Sequence, residues 1–273
     1  GGCAMTEVLH FDKIQLELDG GLAILTLNDA DRLNAITPNM ALGISAALME
    51  IAKPRRAVRA LMITGAGRGF CAGVNLAGQA KAAEAASNLP ALGAVESLFH
   101  PLVRKVREVR VPVVAAVNGP CVGIGLVFAL LSDIVIAAED AYFLVPFRNL
   151  ASSTDSGLSW LLPRTVGPLR ARQMILRAER VPAAKALEWG LATAVAPKET
   201  FAAEARAIAD EFAAGPTVAL ARMRRLVFDS FEQGFDAHLE AEARGVAETS
   251  RTKDNLAALK VFGTKTKPEF TGT

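Results

Sequence analysis

The stretch "VPVVAAVNGPCVGIGLVFALLSDIVIAA", from Val111 to Ala138, constrains this chain more than any other, because only Asn118, Ser132 and Asp133 interrupt its apolar run. A segment of that composition either crosses a bilayer or is buried on every side. Spanning requires about 20 consecutive apolar residues. Here the Asn118-Gly119-Pro120 turn splits the run, and Ser132 and Asp133 close the piece that begins at Cys121. The reading that remains is a buried strand over 113–117, a turn, a buried helix and a second buried strand over 134–138. Strands apolar on both faces belong to parallel sheets covered by helices. The fold class expected is therefore α/β.

The flanking sequence agrees. In "IQLELDGGLAILTLND", Ile14, Leu16 and Leu18 alternate with polar residues, Gly20-Gly21 makes a turn, and a second apolar run ends at Leu27: a β-hairpin. Thr37-Pro38 reads as a helix N-cap followed by proline at the first helical position, with Ile44, Leu48 and Ile51 as an apolar stripe. "ALMIT" (60–64) is a short buried strand that enters "GAGRGFCAG" (65–73). An alanine-rich stretch up to Pro90 has little pattern and is expected to be mobile. A helix is expected from about Leu92 to Val109. Beyond Ala183 the composition is helical, including a segment from Pro216 with Arg222, Arg224 and Arg225, and the closing "KTKPEFTGT" lacks periodicity.

With 273 residues, 51% of them hydrophobic, the chain can bury a large core. Its 30 basic and 28 acidic residues give a net charge of +2, which argues against a nucleic-acid surface. Cys3, Cys71 and Cys121 form no disulfide framework, no His or Cys pair has metal-ligand spacing, and no secretory leader opens the sequence. A cytoplasmic protein with no metal, no membrane span and no nucleic-acid partner is expected. Residues 1–4, "GGCA", read as an added extension ahead of Met5.

Two glycine-rich loops, 65–73 and 119–125, each follow a short apolar strand. They fit tight turns in a packed sheet. They also fit a pair of backbone N–H groups converging on a developing oxyanion. Neither matches a dinucleotide or phosphate loop. Cys71 and Cys121 lie in these loops without a histidine near them in sequence, and read as small buried apolar residues. Asp155, in "SSTDSGLSWLLPR", is either the N-cap of a helix starting at Ser156 or a chemical group, and Ser153 and Thr154 could equally cap.

Together these segments resemble the crotonase superfamily, the enoyl-CoA hydratase/isomerase family. The resemblance is carried in order by "LNDADRLNAI" (27–36), "GAGRGFCAGVNL" (65–76), "PVVAAVNGPCVGIG" (112–125), "LLPRTVG" (161–167), "AKALEWGLATAV" (184–195) and "FGTKTKPEFTG" (262–272). It implies a crotonase-like ββα spiral over 5–200 with a C-terminal helical region over 201–273 that builds homotrimers or hexamers. It also implies an acyl-CoA substrate, with coenzyme A as part of the substrate and no separate cofactor. The oxyanion donors would be the N–H groups of Val74 and Ile124. Arg32, Leu33, Ala35, Phe70, Ala72, Asn75 and Leu76 would line the coenzyme A site, and Lys265 would reach a phosphate across a subunit boundary. Leu226, Phe228 and Phe231 would be covered by a second subunit.

The resemblance also shows a departure. Hydratases of this family use two glutamates; at the matching positions stand Val127 and Phe147, and neither can move a proton. Asp155 falls where family branches that shift double bonds or attack aromatic thioesters carry an aspartate. The function implied is isomerisation of an unsaturated or ring-derived acyl-CoA, with Asp155 as acid and base. The alternatives are a hydratase with unconventional residues, a thioesterase-like enzyme with Asp155 as nucleophile and His100 as base, and a non-catalytic coenzyme A-binding member.

Overall fold

The structure is a computed structural model that describes residues 6–76 and 93–273. The "GGCA" extension and nearly all of the alanine-rich stretch before Pro90 lie outside the described residues. The hairpin forms as β2 (Ile14–Asp19) and β3 (Leu22–Leu27), with Ile14, Leu16 and Leu18 turned into the core. The sequence reading missed β1 (Glu7–Phe11), a largely exposed strand paired antiparallel on β2. β3 then pairs parallel with β4 (Ala60–Gly65), β4 with β5 (Val113–Val117), β5 with β7 (Ile134–Ala138), and β7 with β10 (Ala194–Ala196). All five residues of β5 are buried, as a strand covered on both faces requires. A second sheet of three short strands joins β6 (Cys121–Val122), β8 (Tyr142–Leu144) and β9 (Val181–Pro182).

Helices cover the sheet. In α1 (Pro38–Ile51), Thr37 accepts the Met40 N–H at 3.2 Å, so the capping expectation holds, and Ile44, Leu48 and Ile51 are buried. The helix expected from Leu92 begins among the described residues at 93, passes through a π-turn over Val95–Phe99 and continues as α2 (His100–Arg107). The buried helix after the Asn-Gly turn is α3 (Ile124–Leu130). α4 (Leu158–Val166) and α5 (Pro168–Arg177) follow, and α6 (Ala183–Glu188) leads into β10. Among the described residues no helix is long and apolar enough to cross a membrane.

The C-terminal region is α7 (Phe201–Ala213), α8 (Thr217–Asp229), α9 (Phe235–Thr249) and α10 (Lys253–Val261). One side chain anchors α8. Buried Arg224 donates to Asp133 at 2.8 Å and to the carbonyls of Arg107, Val109 and Leu131 at 2.8–3.0 Å. Asp133 in turn accepts the Val113 N–H at 2.7 Å, which ties the helix to the start of β5. The aperiodic tail is fixed as well: Asp254 accepts the N–H groups of Thr271 and Gly272 at 2.7 and 2.9 Å.

Of the three residues expected to be covered by a second subunit, two are already partly covered by this chain. Phe228 packs against the core of its own chain beneath Arg107 and Arg224, and Leu226 rests half-buried against the Gly245 position. Phe231 remains 48% exposed while meeting Trp160 edge-on at 5.9 Å. The apolar surface left open lies further along, at Val227, Phe235, Val246, Leu259 and Phe262.

Candidate active site

The two glycine loops come together at the ends of β4 and β5. An asparagine on each side holds the first loop, one buried and one partly buried. Asn34, which has no exposed surface, donates to the carbonyls of Ala66 at 3.0 Å and Gly69 at 2.7 Å and accepts the Asp29 N–H at 2.8 Å. Asn118 donates to the carbonyls of Gly65, Gly67 and Gly69 at 2.9–3.2 Å and accepts the Gly65 N–H. Backbone bonds from Cys71 N–H to Pro120 and from Val122 N–H to Cys71, both 2.9 Å, then bridge the loops directly. Glycine is obligatory at two of these contacts. A Cβ on Gly119 would stand 2.2 Å from the Arg68 carbonyl oxygen, and one on Gly65 2.1 Å from that of Gly69.

This clamp determines which N–H groups stay free. Ile36 and Val74 form a parallel bridge in which Gly73 C=O accepts from Ile36 at 2.8 Å and Asn75 N–H donates to Ile36 at 2.9 Å. The N–H of Val74 takes no part in it. Ile124 opens α3, whose first turn closes from Val127 N–H to Gly123 C=O at 3.2 Å. Among the described residues, neither the Val74 nor the Ile124 N–H has a hydrogen-bond partner. Gly73 (φ +96°) and Gly123 (φ +55°), which precede them, touch: a Cβ on Gly123 would lie 3.7 Å from the Gly73 Cα. Two free backbone donors thus follow directly on a glycine–glycine contact, an arrangement able to hold an oxygen that gains negative charge.

Asp155 stands in the loop that leads to α4. It does not cap the helix, and neither do Ser153 and Thr154: Gly157 occupies the N-cap with no side-chain cap bond. The Asp155 carbonyl accepts the Leu158 N–H at 3.0 Å across Ser156 and Gly157, both at positive φ. No hydrogen bond of ordinary geometry reaches its carboxylate among the described residues. Burial pushes the carboxyl above its ordinary value, and the neighbouring Ser156 hydroxyl and the charge of His100 partly oppose that rise. Val127 is buried and Phe147 half-buried, both apolar.

The remaining candidates are unevenly placed. Leu33 and Ala72 share a backbone bond of 2.9 Å, so 32–36 and 71–76 run side by side, with Leu33, Ala35, Ala72 and Asn75 partly accessible and Leu76 exposed. Phe70 corrects the expectation: it has no exposed surface and its ring fills the core beneath the loop, so it offers a ligand no side-chain face. Arg32 is exposed and pairs loosely with Asp29 at 3.5 Å. Lys265 is exposed in the tail and forms no ion pair among the described residues. Cys71 and Cys121 are free and fully buried; burial pushes the Cys71 thiol up to about 12, which suits packing and not nucleophilic attack. No three His, Cys, Asp or Glu side chains gather into a metal site among the described residues. Sequence reasoning missed Asn34, whose only signal was a lone amide in an otherwise unstructured segment before the helix cap, and it missed Ser156.

Comparison with known proteins adds an independent line. The enoyl-CoA hydratase/isomerase family model matches residues 17–273. The 1,2-epoxyphenylacetyl-CoA isomerase of Escherichia coli (strain K12) is 35% identical over 256 residues, covering 93% of this chain and 97% of the relative. Among solved structures, an enoyl-CoA hydratase/isomerase from Cupriavidus metallidurans CH34 superposes with a TM-score of 0.88 at 25% identity, covering 97% of this chain and 98% of the other. An enoyl-CoA hydratase from Polaromonas sp. JS666 does so with 0.86 at 28% identity, covering 94% and 99%.

The clamp can be tested without any substrate. Gly119→Ala is expected to lower stability to urea by about 1–3 kcal/mol, because the Arg68 backbone cannot move aside as a flexible side chain would. Gly234→Ala, where a Cβ meets nothing within 4 Å, serves as the control and should change little. Equal urea midpoints for the two variants would contradict the close approach.

Proposed function

The chain belongs to the enoyl-CoA hydratase/isomerase family, of crotonase fold, and we propose that within it this protein isomerises an unsaturated or ring-derived acyl-CoA thioester. The observation that carries the reading is a half-buried Asp155 carboxylate held by no hydrogen bond of ordinary geometry, in a chain whose side chains at positions 127 and 147 are apolar. Adding water across a double bond calls for groups that orient and deprotonate a water and protonate the α-carbon. Moving a double bond calls for one group that takes a proton from the γ-carbon and returns it to the α-carbon, or the reverse. Asp155 has that capacity. The N–H groups of Val74 and Ile124 would hold the dienolate oxygen, each such donor being worth about 3 kcal/mol in the transition state. The name of the Escherichia coli relative, an isomerase of an aromatic-derived acyl-CoA, supports the same direction.

The coenzyme A portion would lie along Leu33, Ala35, Ala72, Asn75 and Leu76, with exposed Arg32 meeting a phosphate. No cofactor beyond the substrate enters this reaction. A second reading has a specific observation behind it. His100 lies near enough for its field to act on Asp155, and after attack by Asp155 on an acyl group a neutral His100 imidazole would serve as base for the water that releases it.

One experiment separates these readings. Incubated with a β,γ-enoyl-CoA in deuterated water, the protein should shift the double bond and exchange γ-hydrogens while hydrating crotonyl-CoA very slowly. Asp155→Asn should cut the exchange by about 10²- to 10⁴-fold. The base must be ionised and burial raises its pKa, so activity should fall on acidification at a pH above the ordinary carboxylate range. Release of free coenzyme A thiol would favour the His100 reading. Brisk hydration that persists in Asp155→Asn would remove both.

The exposed apolar row on the C-terminal helices, with Phe235 77% and Phe262 87% exposed, supports assembly into homotrimers or hexamers. Light scattering at micromolar concentration should report one of these, and a monomer would refute the assembly.

A further inference from the structure

Ser156 has two features that ordinarily count against a residue. Its backbone sits at φ +53°, in the left-handed region that disfavours every residue with a Cβ, and the turn it forms with Gly157 (φ +81°) is one where glycine or asparagine is the usual occupant. Its side chain is 2% exposed, and among the described residues its hydroxyl oxygen has no hydrogen-bond partner. Glycine at this position would remove both defects at once. Nothing in the packing of α4 compensates for them, since Leu158, Leu161 and Leu162 supply its buried face.

What the serine gains is its neighbour. The turn in which Asp155 C=O accepts Leu158 N–H folds Ser156 back beside Asp155, and the carboxylate is likewise without a partner of ordinary geometry. Ser156 and Asp155, one buried and one half-buried, are thus neighbouring donor and acceptor: the hydroxyl acts on the carboxylate, but not through a hydrogen bond of ordinary geometry. We propose that Ser156 is a positioning residue: its hydroxyl donates to the Asp155 carboxylate when that group is ionised, and so holds it in one orientation to receive the substrate proton. Once Asp155 has taken the proton the bond weakens, and the carboxyl is free to turn toward the second carbon. The open geometry suits that alternation, because a permanently closed bond would restrain the carboxyl throughout the cycle. The same hydroxyl opposes the effect of burial on Asp155, as does the field of His100.

The inference rests on the isomerase reading for its catalytic meaning but not for its measurement. Wild type, Ser156→Ala and Ser156→Gly are compared by carbon-13 NMR titration of the Asp155 carboxyl, by thermal melting, and by γ-hydrogen exchange across pH. Both variants should titrate at higher pH than wild type, since a donor to the ionised form has been lost, and the acid limb of the exchange profile should move up with them. Turnover at its optimum should fall about tenfold. Ser156→Gly should melt at or above the wild-type temperature, because it relieves the left-handed backbone, so loss of folding cannot account for loss of rate. An unmoved Asp155 titration in both variants would overturn the inference, whatever their turnover. If Asp155→Asn leaves exchange intact while the titration still shifts, the isomerase reading fails and the Ser156–Asp155 contact stands.

Discussion

The site depends on a contact with no side chain in it. Gly119 lies so close to the Arg68 carbonyl that a Cβ would stand 2.2 Å from the oxygen, and this approach brings the end of β5 against the loop after β4. From it follow the Cys71–Cys121 bridge, the touching pair Gly73 and Gly123, and the two N–H groups that come next in each chain segment. Without the approach, the free donors of Val74 and Ile124 would belong to two separate loops. Parallel strands place their carboxyl ends on one side of a sheet, which is why both loops emerge there. The glycines then let backbone meet backbone.

The sheltered polar groups of the fold fall into two kinds. Asn34, Asn118, Arg224 and Asp133 are buried or partly buried and richly bonded, mostly to carbonyl oxygens and N–H groups of loops. A buried amide bonded to several carbonyls rigidifies them, because breaking any one bond leaves a group unsatisfied away from water. Asp155 and Ser156 are of the other kind, sheltered and only weakly tied to each other. A group that must change protonation during a reaction gains from weak ties, and a group that fixes backbone gains from strong ones. The contrast places the asparagines in the scaffold and supports the proposed role of Asp155 in the chemistry.

The sheet was legible in the sequence because its strands are extreme: "VVAAV" permits no exposed face, and the Asn-Gly-Pro turn prevents a spanning helix. The hairpin and α1 were legible for the same reason, with a clear alternation and a clear cap. β1 was not, because an edge strand with exposed Glu7 and His10 carries almost no period-two signal. At the site, the loops and Asp155 could be located, while the fate of each side chain could not. Phe70 and the accessible Ala72 lie two positions apart in one loop, and only the fold shows that the ring points into the core. Asp155 had two readings of equal merit, and the structure removes the capping one by placing Gly157 at the helix start. Phe228 looked like an interface residue until Arg224 was seen to draw it onto its own chain.

On the proposed reading the Val74 and Ile124 N–H groups polarise a thioester carbonyl, and vibrational spectroscopy observes that polarisation itself. A non-reactive acyl-CoA labelled with carbon-13 at the thioester carbonyl is bound to the protein, and the infrared difference spectrum is recorded for wild type and Asp155→Asn. Two aligned donors should shift the carbonyl stretch to lower frequency than in the free ligand, and by the same amount in both proteins, since the shift belongs to the backbone. A bound carbonyl that absorbs where the free one does would contradict the claim.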